Sequence, residues 1–326
     1  MRTRNLALAA VMAATSIGPA QAEPDSATIG NGSLYAIGVS TPDTDATAKE
    51  YQRVFGSEPL PFGTASNAVP GNVPSEIKMA GIFFPNFYIK LQQPVNESGP
   101  FAPFVRQYGT AIMNLQIHVQ DAKAVRTRLD AMGNKWVLGA PEDFWAYIDA
   151  KATLGAILEP IDKRNSFPAK VDPAAKLPLA AMPVTHIGIA VKDAKATARK
   201  YSELFGIPLP AVKPVGDLHR WNGARCEKAE RVKMASWKQG DIGIELIEDR
   251  GKDSIWNKFT RKHGDGGISI GFDVGDKLDE VSRNLEAAGG KLVVRRADGS
   301  RAYFDFLSTL GVVVELEGTS AMKACP

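Results

Sequence analysis

Cysteine is scarce. Cys226 and Cys325 are the only two in 326 residues, and so distant a pair cannot make the four-ligand pattern of a structural zinc site. In an oxidising compartment they could bridge or stay as thiols, and the sequence leaves both open. An excess of one charge is lacking too. Lys and Arg number 39 against 36 Asp and Glu, a formal charge of +3. That balance gives no support to nucleic-acid binding or to a polybasic membrane face. The pairs Arg261-Lys262 and Arg295-Arg296 read as solvated surface. No apolar run is long enough to cross a bilayer, so no membrane insertion is expected. A phosphate-binding glycine loop and a serine–histidine triad signature are also missing.

The N-terminus carries a definite pattern. Met1-Arg2-Thr3-Arg4 is basic, Leu6 to Ala14 is apolar, and Ala20-Gln21-Ala22 is a small-x-small site. Together they predict a secretory signal peptide over residues 1–22, cleaved near Ala22, and a periplasmic or secreted mature protein. Losing Arg2 and Arg4 takes the formal charge from +3 to +1.

The rest of the chain is written twice. Asp43-x-x-Ala46-Thr47-Ala48-Lys49-x-Tyr51 returns as Asp193-x-x-Ala196-Thr197-Ala198-Arg199-x-Tyr201. Phe55-Gly56 returns as Phe205-Gly206, and Ile77-Lys78-Met79-Ala80 as Val232-Lys233-Met234-Ala235. Ala146-Tyr147-Ile148-Asp149 answers Ala302-Tyr303-Phe304-Asp305, and Thr153-Leu154-Gly155 answers Thr309-Leu310-Gly311. A register kept through the whole chain marks tandem duplication. The domains are predicted at 33–160 and 184–318, with a Pro-rich, semi-extended linker at 161–183 and a tail at 319–326. In the second copy, Ile- and Val-rich runs at 185–191, 242–247, 268–274 and 312–317 read as strands. Asp193 opens a helix that Gly206 stops, and a second helix runs from about 277 to 288. The order βαβββ recurs twice per copy, giving an α+β fold of four modules.

Three stretches of the second copy carry a family resemblance. They are His186-Ile187-Gly188-Ile189-Ala190-Val191, then Ile244-Glu245-Leu246-Ile247-Glu248, and Ser308-Thr309-x-Gly311-Val312-x-x-Glu315-Leu316. In order and spacing they resemble the vicinal-oxygen-chelate superfamily, which includes glyoxalase I, methylmalonyl-CoA epimerase, extradiol dioxygenases and bleomycin-resistance proteins. The resemblance is nearest to the epimerase and glyoxalase I branch. It implies two cupped mixed sheets, rich in antiparallel pairs, with helices outside. It also implies one divalent metal per active cup, chosen from Ni, Mn, Co, Zn or Fe.

Carried over residue by residue, the resemblance implies His186, Glu245 and Glu315 as metal ligands, with Glu315 also the general base. Ser269 stands where family enzymes usually have a second histidine, and it is assigned to the substrate pocket. The corresponding set in the first copy is Ala36, Lys90, Asn114 and Glu159, and an ammonium has no lone pair for a metal. If modules pair across the copies, His186 and Glu245 would instead meet Asn114 and Glu159.

Leu218 to Gly223 reads as a loop expansion whose His219, Arg220 and Trp221 line a pocket mouth. In the first copy, His118, Trp145 and Tyr147 are read beside Asn114 and Gln116 in a polar-aromatic pocket. Two functions remain: an exported, metal-dependent lyase or isomerase moving a proton on a small oxygenated substrate with enolate stabilisation, or a metal-free protein that binds or sequesters a small molecule. A homodimer is compatible with either.

Overall fold

The computed structural model describes residues 29–30, 32–140, 143, 145–162, 171, 178–221, 226–229 and 231–319. The expected signal peptide and the tail from 320 onward lie outside them. So does Cys325; Cys226 is disulfide-bonded.

The first copy contributes strands β1 (Ser33–Ser40), β2 (Leu60–Val69), β3 (Asn72–Phe83), β4 (Tyr88–Pro94), β5 (Ala111–His118), β6 (Lys135–Leu138), β7 (Tyr147–Ala150) and β8 (Ala156–Ile161). Its helices are α1 (Thr44–Phe55), α2 (Phe101–Tyr108), α3 (Ala122–Ala131) and α4 (Lys151–Leu154). The strands form one eight-stranded sheet in the order β2-β3-β4-β1-β5-β8-β7-β6.

The second copy contributes β9 (Val184–Ala190), β10 (Lys213–Val215), β11 (Leu218–Trp221), β12 (Cys226–Lys228), β13 (Val232–Gln239), β14 (Ile242–Asp249), β15 (Gly266–Asp273), β16 (Lys291–Arg296), β17 (Arg301–Phe306) and β18 (Val312–Glu317). Its helices are α5 (Ala194–Phe205), α6 (Ile255–His263) and α7 (Leu278–Ala287). The sheet order is β10-β13-β14-β9-β15-β18-β17-β16-β11-β12. The α+β fold of four βαβββ modules is therefore present, and modules pair within a copy, through β1–β5 and β9–β15. The cross-copy arrangement is excluded.

Local chemistry explains the repeated ends. Asp43, Asp121 and Asp193 each accept a hydrogen bond from the backbone N–H three residues on, capping α1, α3 and α5. Gly56 and Gly206 take left-handed φ of 67° and 68°, which stops α1 and α5 where a side chain would be strained.

The copies share a core. Phe55 packs edge-on against Phe84 and against Phe272 of the other copy. The Tyr51 hydroxyl donates to the carbonyl of Leu310 at 2.8 Å, and Tyr201 donates to that of Leu154 at 3.1 Å. The repeated tyrosine thus makes the same contact in both directions.

One expectation fails here. Residues 218–221 are not a loop. They form β11, paired with β12 and β16 at one side of the sheet. Arg220 is held by Asp249 at 3.1 Å, and Trp221 lies under the Arg295 guanidinium. Arg220 and Trp221 are thus spent on neighbouring side chains rather than on a pocket mouth.

Candidate active site

The second sheet places its polar side chains in cross-strand rows. His186 on β9 is level with Gly243 on β14 and Gly271 on β15, and Gly271 is level with Glu315 on β18. Glu315 in turn faces Tyr303 on β17. Two residues along, Glu245, Gly188 and Ser269 make the next row. Since side chains alternate faces along a strand, both rows point into one cup.

Two glycines make the space. A Cβ at Gly271 would collide with ring atoms of His186, and one at Gly188 with the Ser269 hydroxyl. The imidazole and the hydroxyl therefore lie across bare backbone. The first copy reverses the first arrangement: Ala36 replaces the histidine and Gln116 replaces the glycine.

The expected ligands do meet. His186 Nε2 is 2.9 Å from Glu315 Oε2 and 3.7 Å from Glu245 Oε2. Thr185 Oγ1 lies 2.9 Å from Nδ1, orienting the ring so that Nε2 faces the carboxylates. Among the described residues, the group whose ligand atoms all lie within 4.8 Å of one another is His186, Glu315 and Glu317, with Glu245 outside it. Glu315 is wholly buried, whereas the Glu245 side chain keeps 12% of its exposure.

Sequence reasoning missed Arg301. It enters from β17, with Nη1 3.0 Å from Glu315 Oε1 and 3.4 Å from Glu245 Oε2, and it also pairs with Glu317. Its signal was present: Arg301 and Tyr303 alternate on the face that meets Glu317 and Glu315. A cavity of about 640 Å³ is lined by Arg301, Asp217, Met234, Ser236 and Arg296. His186, Glu245 and Glu315 are not on its wall, and neither are His219, Arg220 and Trp221.

Burial alone would lower the His186 pKa, but Glu315 and Glu245 outweigh it and hold the imidazolium above its ordinary range. Burial and the Glu315 charge push Glu245 up. Glu315 goes the other way: burial opposes ionisation, yet Arg301 and His186 keep it ionised below the usual carboxylate range.

The donor set fits a divalent cation. Nε2 of His186, both oxygens of Glu315 and the Ser269 hydroxyl are buried without an aligned hydrogen bond, and a cation that displaces the Nε2 proton would find their lone pairs converging. One imidazole and two carboxylates suit ions from Mn to Zn. The competing cation is Arg301.

The first cup is closed differently. Glu159 accepts from Lys90 Nζ at 2.8 Å through both oxygens, from Asn114 Nδ2 at 2.8 Å and from Gln116 Nε2 at 2.9 Å. That network occupies the place of a metal. Gln116, Trp145 and Tyr147 line the cavity above it, while His118 does not.

Residues 185–304 match the family model of the Glyoxalase/Bleomycin resistance protein/Dioxygenase superfamily. Among solved structures, the chain is similar to a triple mutant of 4-hydroxymandelate synthase from Streptomyces coelicolor. The TM-score is 0.58 at 15% identity, over 90% of this chain and 94% of that one. It is also similar to a xylose isomerase-like TIM barrel/4-hydroxyphenylpyruvate dioxygenase fusion protein, at TM-score 0.54 and 15% identity, over 95% of this chain and 52% of that one. At such identity the likeness is one of fold. No match is found among curated proteins. The matched segment spans β9 to β17 of the second copy and the same strand order recurs in the first sheet, so the chain has the fold of the vicinal-oxygen-chelate superfamily.

Proposed function

We propose that the second copy is the catalytic half of an exported, metal-dependent lyase or isomerase that moves a proton on a small oxygenated substrate. The observation that carries this reading is the convergence of His186, Glu245 and Glu315 in one cup, with His186 Nε2 and both Glu315 oxygens buried and held only by ion-pair contacts. A divalent ion held by these three residues supplies Lewis acidity toward a neighbouring pair of substrate oxygens.

The chain's own groups divide the remaining work. Thr185 fixes the imidazole. Glu315, sealed and ionised, is an anchor and not the proton carrier expected from the resemblance. Glu245 is the most exposed of the three, so the proton falls to it, because a base must reach the proton it takes. Arg301 keeps Glu317 as a partner when a cation takes Glu245 and Glu315. It then faces an anionic or carbonyl oxygen of the bound substrate.

The test is metal content of the untagged mature protein, followed by titration of Mn²⁺, Fe²⁺, Co²⁺, Ni²⁺ and Zn²⁺. Stoichiometric binding is expected, weakened at least about tenfold in His186→Ala. Absent binding, or affinity indifferent to the substitution, defeats the reading.

The specific observation that favours metal-free ligand binding is Arg301 itself. It already neutralises the carboxylates, as Lys90 does in the first copy. Export rests on residues 1–22, and the expected result is a periplasmic or secreted product whose N-terminus begins at Glu23. A full-length cytoplasmic product counts against it.

A further inference from the structure

The first cup holds a cavity that the metal reading leaves unused. Above the Lys90–Glu159 floor lies a cavity of about 330 Å³, near the lower end for small-molecule sites. Four of its lining residues are aromatic: Phe62, Tyr88, Trp145 and Tyr147. These rings are braced by one another and by their neighbours. Tyr88 stacks on Phe83 at 5.5 Å, and Trp145 meets Tyr147 edge-on at 5.9 Å. Tyr147 accepts a hydrogen bond from Gln92 Nε2 at 2.6 Å, and the Tyr88 hydroxyl donates to Gln116. A wall set in this way loses little freedom when a flat molecule slides against it.

The floor decides the ligand's charge. Lys90 spends its charge on Glu159, and the Asn114 and Gln116 amides complete that carboxylate's shell. The floor is neutral overall and offers no spare ion. It cannot offset the cost of stripping water from a charged ligand. One donor is left over on the wall: Asn67 Nδ2 is buried without a hydrogen-bond partner, and Asn67 lines the cavity. A buried amide donor of this kind is satisfied by an oxygen on the guest.

We propose that the first cup binds a neutral, flat aromatic molecule of one or two rings carrying a carbonyl or ether oxygen, held between the aromatic walls with that oxygen on Asn67. The second cup, where Arg301 stands in place of Trp145 and Glu245 in place of Lys90, is charged and selects differently.

Coumarin is a suitable neutral probe, and coumarin-3-carboxylate its anionic counterpart. Isothermal titration calorimetry on the mature protein should show coumarin binding and the carboxylate at least about tenfold weaker, a difference of about 1.4 kcal/mol. Leu138→Trp, which fills the cavity, and Trp145→Ala, which removes a wall, should each abolish coumarin binding. Asn67→Ala should weaken it severalfold, and His186→Ala should leave it unchanged. Four results would overturn the assignment. They are no coumarin binding, a carboxylate that binds as tightly, binding that survives in both Leu138→Trp and Trp145→Ala, or binding lost in His186→Ala. The last would move the ligand to the second cup. Metal titration of the same samples reads the other cup separately, so either reading can fail without the other.

Discussion

Arg301→Ala should cost the metal-free protein about 3–5 kcal/mol of stability, the usual penalty for leaving a buried charge without its partner. Glu315 is fully buried, and its positive neighbours are Arg301 and His186. With Arg301 gone, Glu245, Glu315 and Glu317 share one imidazolium. Urea denaturation in the presence of a chelator measures the loss. Arg301→Lys should fall between wild type and Ala, because an ammonium keeps the charge but not the fork that reaches several carboxylates at once. Added Mn²⁺ or Zn²⁺ should then stabilise Arg301→Ala more than wild type, since the ion no longer displaces a guanidinium. If Arg301→Ala is as stable as wild type in chelator, the guanidinium is not what balances the cup.

Gly271→Ala should be nearly as damaging, for a steric reason. The new methyl would occupy the space of the His186 ring, and the ring has β-sheet on both sides of it. Either the imidazole swings away or the strands separate. Overpacking of this kind costs about 1–3 kcal/mol. Metal affinity should fall as far as in His186→Ala, because the ligand is displaced rather than deleted. The double variant His186→Ala/Gly271→Ala removes the collision and should be more stable than Gly271→Ala alone, with a coupling energy on the order of 1–3 kcal/mol. Additive losses in that cycle would mean that ring and methyl never compete. The first copy already carries a natural version of the relieved pair, Ala36 beside Gln116.

Much of this was legible in the residues. The duplication, the capped helices at Asp43 and Asp193, and the strand order within each module follow from spacing and cap chemistry. His186, Glu245 and Glu315 were legible because alternation puts them on one face. Arg301 was not legible because the resemblance places ligands on the first and last strands of each module, whereas it enters from the strand before the last. Its alternation with Tyr303 was the available signal. The 218–221 run differs from the expected loop because four residues carry too little periodicity to tell a short strand from a loop. Its partners, Asp249 and Arg295, are distant in sequence. Glu315's burial could not be read at all, since it depends on how three strands and Arg301 close over it.

The reciprocal tyrosine contacts have a consequence for behaviour on dilution. Tyr51 reaches Leu310 and Tyr201 reaches Leu154, so the seam is a two-fold joint built inside a single polypeptide. Two separate chains meeting through such a joint would part as their concentration fell. Tethering makes the encounter intramolecular, with an effective concentration set by the connecting segment rather than by the surroundings. In the dilute space outside a cell membrane, where export would carry it, the two cups stay together at any abundance. One of them is then free to lose its histidine without the pair coming apart.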